Sequence, residues 1–146
     1  MHLLRVRRQL LSINLPDGYR LRVLDEVDST NAEAARIVAQ LAGPEWVLAR
    51  RQTNGRGRRG RAWSDPAGNF AASLVLFPKH PPDQIALRSF VAALALFDAL
   101  VATTGRSDTL ALKWPNDVLL NGGKVAGILL ETTALSGGGF ALTIGF

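Results

Sequence analysis

The chain has no cysteine in its 146 residues and only two histidines, His2 and His80. It therefore builds no disulfide framework, thiolate nucleophile or thiolate metal site, and a histidine triad or zinc centre has almost nothing to draw on. No apolar run reaches the ~18 residues that a bilayer span requires. The first 16 residues carry arginines and no acid, faintly like a transit peptide, but Arg5, Arg7 and Arg8 interrupt any signal-peptide core. A cytoplasmic protein without a membrane partner is expected. There is no strand–GxGxxG–helix unit and no Walker loop, because Gly57-Arg58-Arg59-Gly60 lacks the Lys-Ser/Thr ending. No internal repeat is visible. At 47% hydrophobic, the chain reads as one globular domain with room for a core.

What is present is unevenly placed. The net charge is +5, and six of the 17 basic residues lie between Arg50 and Arg61. A localised patch argues for a site, whereas a general nucleic-acid binder spreads its charge. The densest part is Gly55-Arg56-Gly57-Arg58-Arg59-Gly60-Arg61, followed by Ala62-Trp63. Glycines this frequent rule out a helix or a regular strand, and arginine offers a planar fork of donors for phosphate or carboxylate. Such a loop suits a mobile lid over an anionic small molecule. It also suits a basic patch for nucleic acid or a localisation run.

Residues 1–18 read as a basic lead-in ending in the turn Pro16-Asp17-Gly18, too short for a helix-turn-helix module. Tyr19 to Val27 reads as a half-buried strand. After Asp28-Ser29-Thr30-Asn31, a helix is expected from about Ala32 to Leu41, with Thr30 and Glu33 in the form of a capping box. The same corner, with Ser29 and Asn31 flanking Thr30 at a helix N-terminus, would also hold a polar ligand head. Trp46–Arg51 and Phe70–Phe77 read as strands, the first delivering Gln52 and the arginine loop. Asp83 is expected to cap the longest helix, about Gln84 to Thr103. Leu110 to Trp114, meeting Pro115, is a short strand. Val118-Leu119-Leu120, Asn121-Gly122-Gly123 and Lys124 to Glu131 form the clearest hairpin, and Phe140 to Phe146 is the last strand. The class is α+β: a mixed, mostly antiparallel sheet with helices on one face.

The hairpin carries a geometric consequence. A two-residue turn puts Asp117 and Lys124 on the same sheet face, and a three-residue loop puts them on opposite faces. The pair could be a surface ion pair worth ~0–1 kcal/mol. Yet Lys124 heads an otherwise apolar run, where an ammonium is costly without an anionic partner. Gly127 leaves room for a ligand to press against the strand.

These residues resemble the biotin protein ligases. The matching blocks are Asp28-Ser29-Thr30-Asn31, Gln52, Gly55 to Arg61 with Trp63, Lys113-Trp114-Pro115-Asn116-Asp117, and Lys124 to Glu131. They stand in the family's order from about residue 20 to 146. The resemblance implies a fold related to class II aminoacyl-tRNA synthetases, with residues 19–146 as the catalytic domain. It also implies an ATP-dependent enzyme that activates biotin as biotinyl-5′-AMP and passes it to a lysine of a biotin carboxyl carrier protein or domain.

By matching position, Ser29, Thr30, Asn31 and Gln52 would contact biotin, the first three around its ureido ring. Gly55, Arg56, Gly57 and Arg58 would belong to the loop over biotin, with Gly127 on the opposite wall. Lys124 would hold the biotin carboxylate, with Arg58 and Asp117 also catalytic. Arg58, Arg59, Arg61, Trp63, Lys113, Asn116 and Asp117 would serve the ATP or adenylate part. Mg2+ would arrive with ATP, without a dedicated protein site, Asp117 being the one side chain placed to assist it.

The winged-helix domain of the repressor-type relatives has no counterpart, so no DNA partner is expected. The family continues beyond the position of Phe146, so the resemblance covers the biotin half well and the nucleotide half in part. The last strand is accordingly expected at a sheet edge, inviting a homodimer. A lipoate or octanoate ligase or transferase of the same fold, or a non-catalytic biotin-binding module, are the rival readings.

Overall fold

The computed structural model describes residues 14–79 and 81–146; residues 1–13 of the expected lead-in, and both histidines, lie outside that range. The elements run β1 (Arg20–Leu24), α1 (Thr30–Ile37), β2 (Glu45–Ala49), β3 (Ala71–Leu76), α2 (Arg88–Thr104), β4 (Leu110–Lys113), β5 (Asp117–Leu120), β6 (Gly123–Gly127), β7 (Leu129–Ala134) and β8 (Phe140–Gly145). A five-stranded sheet has the order β1-β2-β3-β8-β7, and β4-β5-β6 form a separate three-stranded meander. Among the described residues only β1 and β2, joined across α1, pair as parallel strands, and the other strand pairings are antiparallel. Among the described residues no helix is long and apolar enough to cross a membrane.

The expected α+β class with a mixed, mostly antiparallel sheet is the one found, but the helices do not share a face. Ala34 and Ile37 of α1 pack with Val47, Val75 and Ala141. Ala92 and Ala93 of α2 pack instead with Leu142, Ile144 and Ile128. Successive side chains of a strand point to opposite faces, so Ala141 and Leu142 place α1 and α2 on opposite sides. Strand β8 is buried along nearly its whole length, and such a strand needs cover on both faces.

For the same reason Phe140 to Phe146 is no edge. Strand β8 lies inside the sheet between β3 and β7, and the edges are β1 and β7. The homodimer expected through an exposed last strand therefore loses its basis.

Other boundaries also move. The cap of α1 is Ser29, not Thr30: Ala32 N donates to Ser29 Oγ over 3.4 Å. The Glu33 carboxylate takes Arg36 Nε at 2.8 Å instead of returning to the cap, which leaves the Thr30 hydroxyl for the site. The helix gives way to a 3-10 turn at Val38–Gln40. Asp83 sits in a 3-10 turn, Pro82–Gln84, and no side chain caps α2.

The run Lys124 to Glu131 is two strands in two sheets, parting at Ile128. Asn116 fixes that junction: Ile128 N donates to its backbone oxygen at 2.9 Å, and its Nδ2 donates to Ile128 O at 2.8 Å.

Candidate functional site: a cavity with a neutral and a cationic end

A cavity of about 450 Å³ opens between the N-terminus of α1, the arginine loop and the β6–β7 junction. Its inner end is uncharged. Gln52 Oε1 accepts from Thr30 N at 2.8 Å and lies 3.2 Å from Thr30 Oγ1. Ser73 Oγ lies 2.5 Å from Asn31 Oδ1 and 2.8 Å from Thr30 Oγ1. A hydroxyl has one proton, and an amide oxygen can only accept, so Ser73 donates to Asn31. Asn31 Nδ2 donates to Glu131 Oε2 at 2.8 Å and to Leu129 O at 3.3 Å. Ser29, Thr30 and Asn31 are all buried here. Buried polar groups keep their place only when they are hydrogen-bonded, and this network meets that requirement.

Asn31 reaches from Ser73 on β3 to Glu131 on β7, crossing β8 at Gly145. A Cβ on Gly145 would overlap the Asn31 amide, standing 3.0 Å from Cγ and 3.2 Å from Nδ2. Glycine at this position is what allows the crossing.

The outer end is cationic. Arg56, Arg58, Arg59, Arg61 and Lys124 line it, and Asp117 is the one carboxylate lining the cavity among the described residues. The β5–β6 turn has two residues, Asn121 and Gly122, with φ of 49° and 80°, the positive pair that a type I′ turn requires. It pairs Leu120 with Gly123 and Leu119 with Lys124, after which a bulge shifts the register so that Asp117 faces Gly127. Asp117, Lys124 and Gly127 therefore share one face.

Lys124 Nζ lies 2.8 Å from Asp117 Oδ1, out of line for a hydrogen bond, so that buried oxygen retains its accepting capacity. The ammonium also sits 4.9 Å from the centre of the Trp63 ring, a cation–π distance. Gly127 gives the lysine stem its seat: a Cβ there would stand 3.0 Å from both Cε and Nζ of Lys124 and 3.3 Å from Trp63.

The arginine loop folds back on itself. Gly57 N donates to Arg61 O at 2.7 Å and Trp63 N to Gly55 O at 2.9 Å, with Arg56 bridging Ala62. Arg59 adopts φ 59° within the Arg58–Gly60 turn. Arg56 Nη2 lies 3.2 Å from both Glu131 oxygens, and Arg58 Nη1 donates to Asn116 Oδ1 at 3.4 Å.

Of the residues singled out from sequence, Gly55 is buried at the neck of the loop, where a Cβ would stand 3.0 Å from Trp63 O. Lys113 faces Asp117 across β4–β5 but is exposed. Neither lines the cavity, and all the others do. Sequence reasoning missed Ser73, Glu131 and Gly145. The available signal for Ser73 was a lone hydroxyl in an apolar strand, and for Glu131 an acid ending an apolar run.

Just outside the cavity, Arg36 donates to both Asp28 oxygens, at 2.6 and 3.0 Å. This guanidinium, helped by the Ser29 N–H, lowers the Asp28 carboxyl to about 2. Asp28 in turn raises Arg36. No three His, Cys, Asp or Glu side chains gather as a metal cluster among the described residues.

Residues 23–146 match the biotin/lipoate A/B protein ligase family. The chain is 58% identical over 123 residues to a biotin–[acetyl-CoA-carboxylase] ligase of Paracoccus denitrificans, covering 84% of this chain and 51% of that protein. It is 34% identical to the bifunctional ligase/repressor BirA of Escherichia coli, over 88% of this chain and 40% of that one. The chain thus spans about half the length, or less, of these relatives. Among solved structures, biotin protein ligase of Leishmania major with biotinyl-5-AMP aligns with a TM-score of 0.74 at 26% identity, over 90% of this chain and 57% of that one. The Aquifex aeolicus enzyme with biotin and ATP aligns at 0.72 and 35% identity, over 87% and 51%. A Plasmodium falciparum LipL1 with lipoate, 10% identical, shares the fold at 0.56. Sequence match and overall structural likeness agree, and the chain belongs to the biotin/lipoate A/B protein ligase family.

Proposed function

We propose that this chain activates biotin with ATP, forming biotinyl-5′-AMP and pyrophosphate, and transfers the biotinyl group to a lysine of a biotin carboxyl carrier protein or domain. The observation that supports it most is the two-ended cavity. A cyclic urea is neutral and both donates and accepts, which suits the Ser29-Thr30-Asn31-Gln52 corner. A carboxylate at the far end of an aliphatic chain suits an ammonium. The Paracoccus, Leishmania and Aquifex relatives, being biotin ligases, point the same way.

The first step joins two anions. The biotin carboxylate attacks the α-phosphorus, a P–O bond to the β-phosphate breaks, and pyrophosphate leaves. Repulsion between carboxylate and triphosphate opposes that approach, and the five lining cations offset it. Lys124 exchanges Asp117 for the biotin carboxylate, and Trp63 and the Gly127 backbone keep the ammonium from swinging away. Arg56 and Arg58 hold the loop against Glu131 and Asn116, which excludes water from the mixed anhydride.

Asp117 Oδ1, buried without a hydrogen bond, fits a role as a single oxygen toward Mg2+ carried by ATP, since Mg2+ keeps most of its own waters. When bound, that ion would neutralise phosphate charge. In the second step the neutral amine of the carrier lysine attacks the acyl carbonyl, a C–N bond forms, the C–O bond to the phosphate of AMP breaks, and the amine gives up one proton to solvent. Asp117 would accept a hydrogen bond from that amine.

Calorimetry with biotin and, in a parallel arm, lipoate tests the assignment, beside pyrophosphate release on adding ATP. Biotin binding without lipoate binding is expected. Failure to bind biotin, or tighter binding of lipoate, refutes it.

A further inference from the structure

Glu131, so far only an anchor for Arg56, also bonds Asn31, so it reaches residues of both ends of the cavity. It projects from β7 on the face that carries Thr143 and Gly145, opposite Thr143 in the β7–β8 register. One carboxylate oxygen accepts from Asn31 Nδ2 at 2.8 Å, and both lie 3.2 Å from Arg56 Nη2. Asn31 belongs to the neutral end and Arg56 opens the cationic loop. Their sole shared side-chain partner among the described residues is this acid.

We infer that Glu131 is a positioning residue, fixing the facing of the Asn31 amide and the seat of the arginine loop with a single carboxylate. The inference rests on the biotin reading for its ligand, and on geometry alone for its mechanism. An Asn side chain is nearly symmetric in shape, so its orientation is set by its partners. An acid that can only accept holds Nδ2 outward to β7 and turns Oδ1 toward Ser73 and the cavity. Without it, one acceptor remains for Nδ2, the longer contact to Leu129 O at 3.3 Å, and the amide is held less firmly.

Arg56 depends on the same group. Its side chain is 42% exposed and that of Glu131 37%, so the ion pair adds little stability by itself. What it supplies is placement. The guanidinium is held 3.2 Å from the carboxylate that orders Asn31, so the loop closes in register with the neutral end. A cavity whose two ends are set by separate groups would let the loop close over a misplaced ligand. Here a displaced Asn31 releases Glu131, and with it Arg56.

The test uses Glu131→Ala and Glu131→Gln in the 146-residue chain, with biotin calorimetry and amide hydrogen exchange of Gly57 and Trp63, whose N–H groups are bonded within the loop. Glu131→Ala should weaken biotin binding about tenfold and speed exchange of those loop amides about tenfold, on the scale of one lost charged hydrogen bond. Glu131→Gln separates the two tasks. Its oxygen can still accept from Asn31, so biotin affinity should return to within about threefold of wild type. Its amide nitrogen replaces the other oxygen and meets the guanidinium donor to donor, and the charge is gone, while the retained oxygen still lies 3.2 Å from Nη2; the loop amides should therefore stay faster than wild type, nearer the alanine variant. A merely structural acid would not give this split; it would lower the thermal midpoint and move both readouts together. Wild-type loop exchange in Glu131→Ala, or biotin affinity in Glu131→Gln as poor as in Glu131→Ala, overturns the inference. Loop exchange needs no ligand, so it still decides the matter in a chain that binds no biotin, an outcome that defeats only the functional reading.

Discussion

Gly145→Ala should be among the most damaging single-methyl changes in this chain, although position 145 touches no reacting atom. Its Cβ would overlap the Asn31 amide, 3.0 Å from Cγ and 3.2 Å from Nδ2. Strand β8 cannot step aside, because Gly145 is paired with Ser73 on one side and Leu129 on the other. Asn31 must therefore leave. Overpacking a filled interior costs about 1–3 kcal/mol. Pushing out an amide bonded to Ser73, Leu129 O and Glu131 leaves the buried Ser73 hydroxyl without its acceptor, about 1–3 kcal/mol more. The expected destabilisation is roughly 2–6 kcal/mol, and at this chain length a fall of roughly 10 °C in thermal midpoint. Biotin affinity should fall at least tenfold, since the neutral end loses its organiser. Denaturant titration and calorimetry read the two effects. The decisive comparison is Asn31→Ala with and without Gly145→Ala. Once the amide is gone the methyl has room, so the double variant should match Asn31→Ala to within about 0.5 kcal/mol, a coupling that independent sites do not show. Strictly additive losses, or a Gly145→Ala chain with wild-type midpoint and biotin affinity, would refute the crossing of Asn31 over β8.

Lys124→Met should cut adenylate formation about 10²- to 10³-fold, the scale of one lost transition-state donor, with the thermal midpoint unchanged; pyrophosphate release checks it, and wild-type turnover would exclude the role. Gly127→Ala should displace the Lys124 ammonium, with a Cβ 3.0 Å from Cε and Nζ, and weaken biotin at least tenfold while leaving a biotin amide, which lacks the carboxylate, unaffected. Equal losses for both ligands would count against Lys124 as the carboxylate's partner. Asp28 is lowered in the folded chain from 3.8 to about 2, so its stabilisation is present above pH ~4 and is lost as pH falls toward 2. The side chain is 45% exposed, which holds the effect to about 1 kcal/mol or less, and acid denaturation of Asp28→Asn should lack that step.

Local chemistry carried much of this site into view from sequence. Hairpin parity set Asp117 and Lys124 on one face for a two-residue turn and on opposite faces for a three-residue loop; the turn has two residues, and the 2.8 Å contact follows. The bulge preserves that result, because it lies beyond Lys124 and only exchanges Ala126 for Gly127 opposite Asp117. The density of arginine between Gly55 and Arg61 pointed to an anion-binding loop, and four of those guanidiniums line the cavity. At the corner before α1 the cap belongs to Ser29, and Thr30 and Asn31 line the cavity. The capping-box pattern misassigned the cap because Arg36, one turn along, takes the Glu33 carboxylate that the box would need.

The parts that stayed hidden depend on which strands become neighbours. Ser73 and Asn31 are 42 residues apart, Asn31 and Glu131 100. Their relation exists only because β8 inserts between β3 and β7, and a strand's place in a sheet is set by packing on both faces, not by its own alternation. The same packing split the run Lys124 to Glu131, which reads as one continuous apolar strand. Each half finds a different sheet, and Asn116 closes the joint with two hydrogen bonds to Ile128. The split serves the site directly. It sets the Lys124 ammonium on the small sheet and the Glu131 carboxylate on the large one, both beside the arginine loop. A single straight strand would carry Lys124 and Glu131 on opposite faces, since they are separated by an odd number of positions. The break at Ile128 removes that constraint, so one short segment supplies a cation to the charged end and an acceptor to the neutral end.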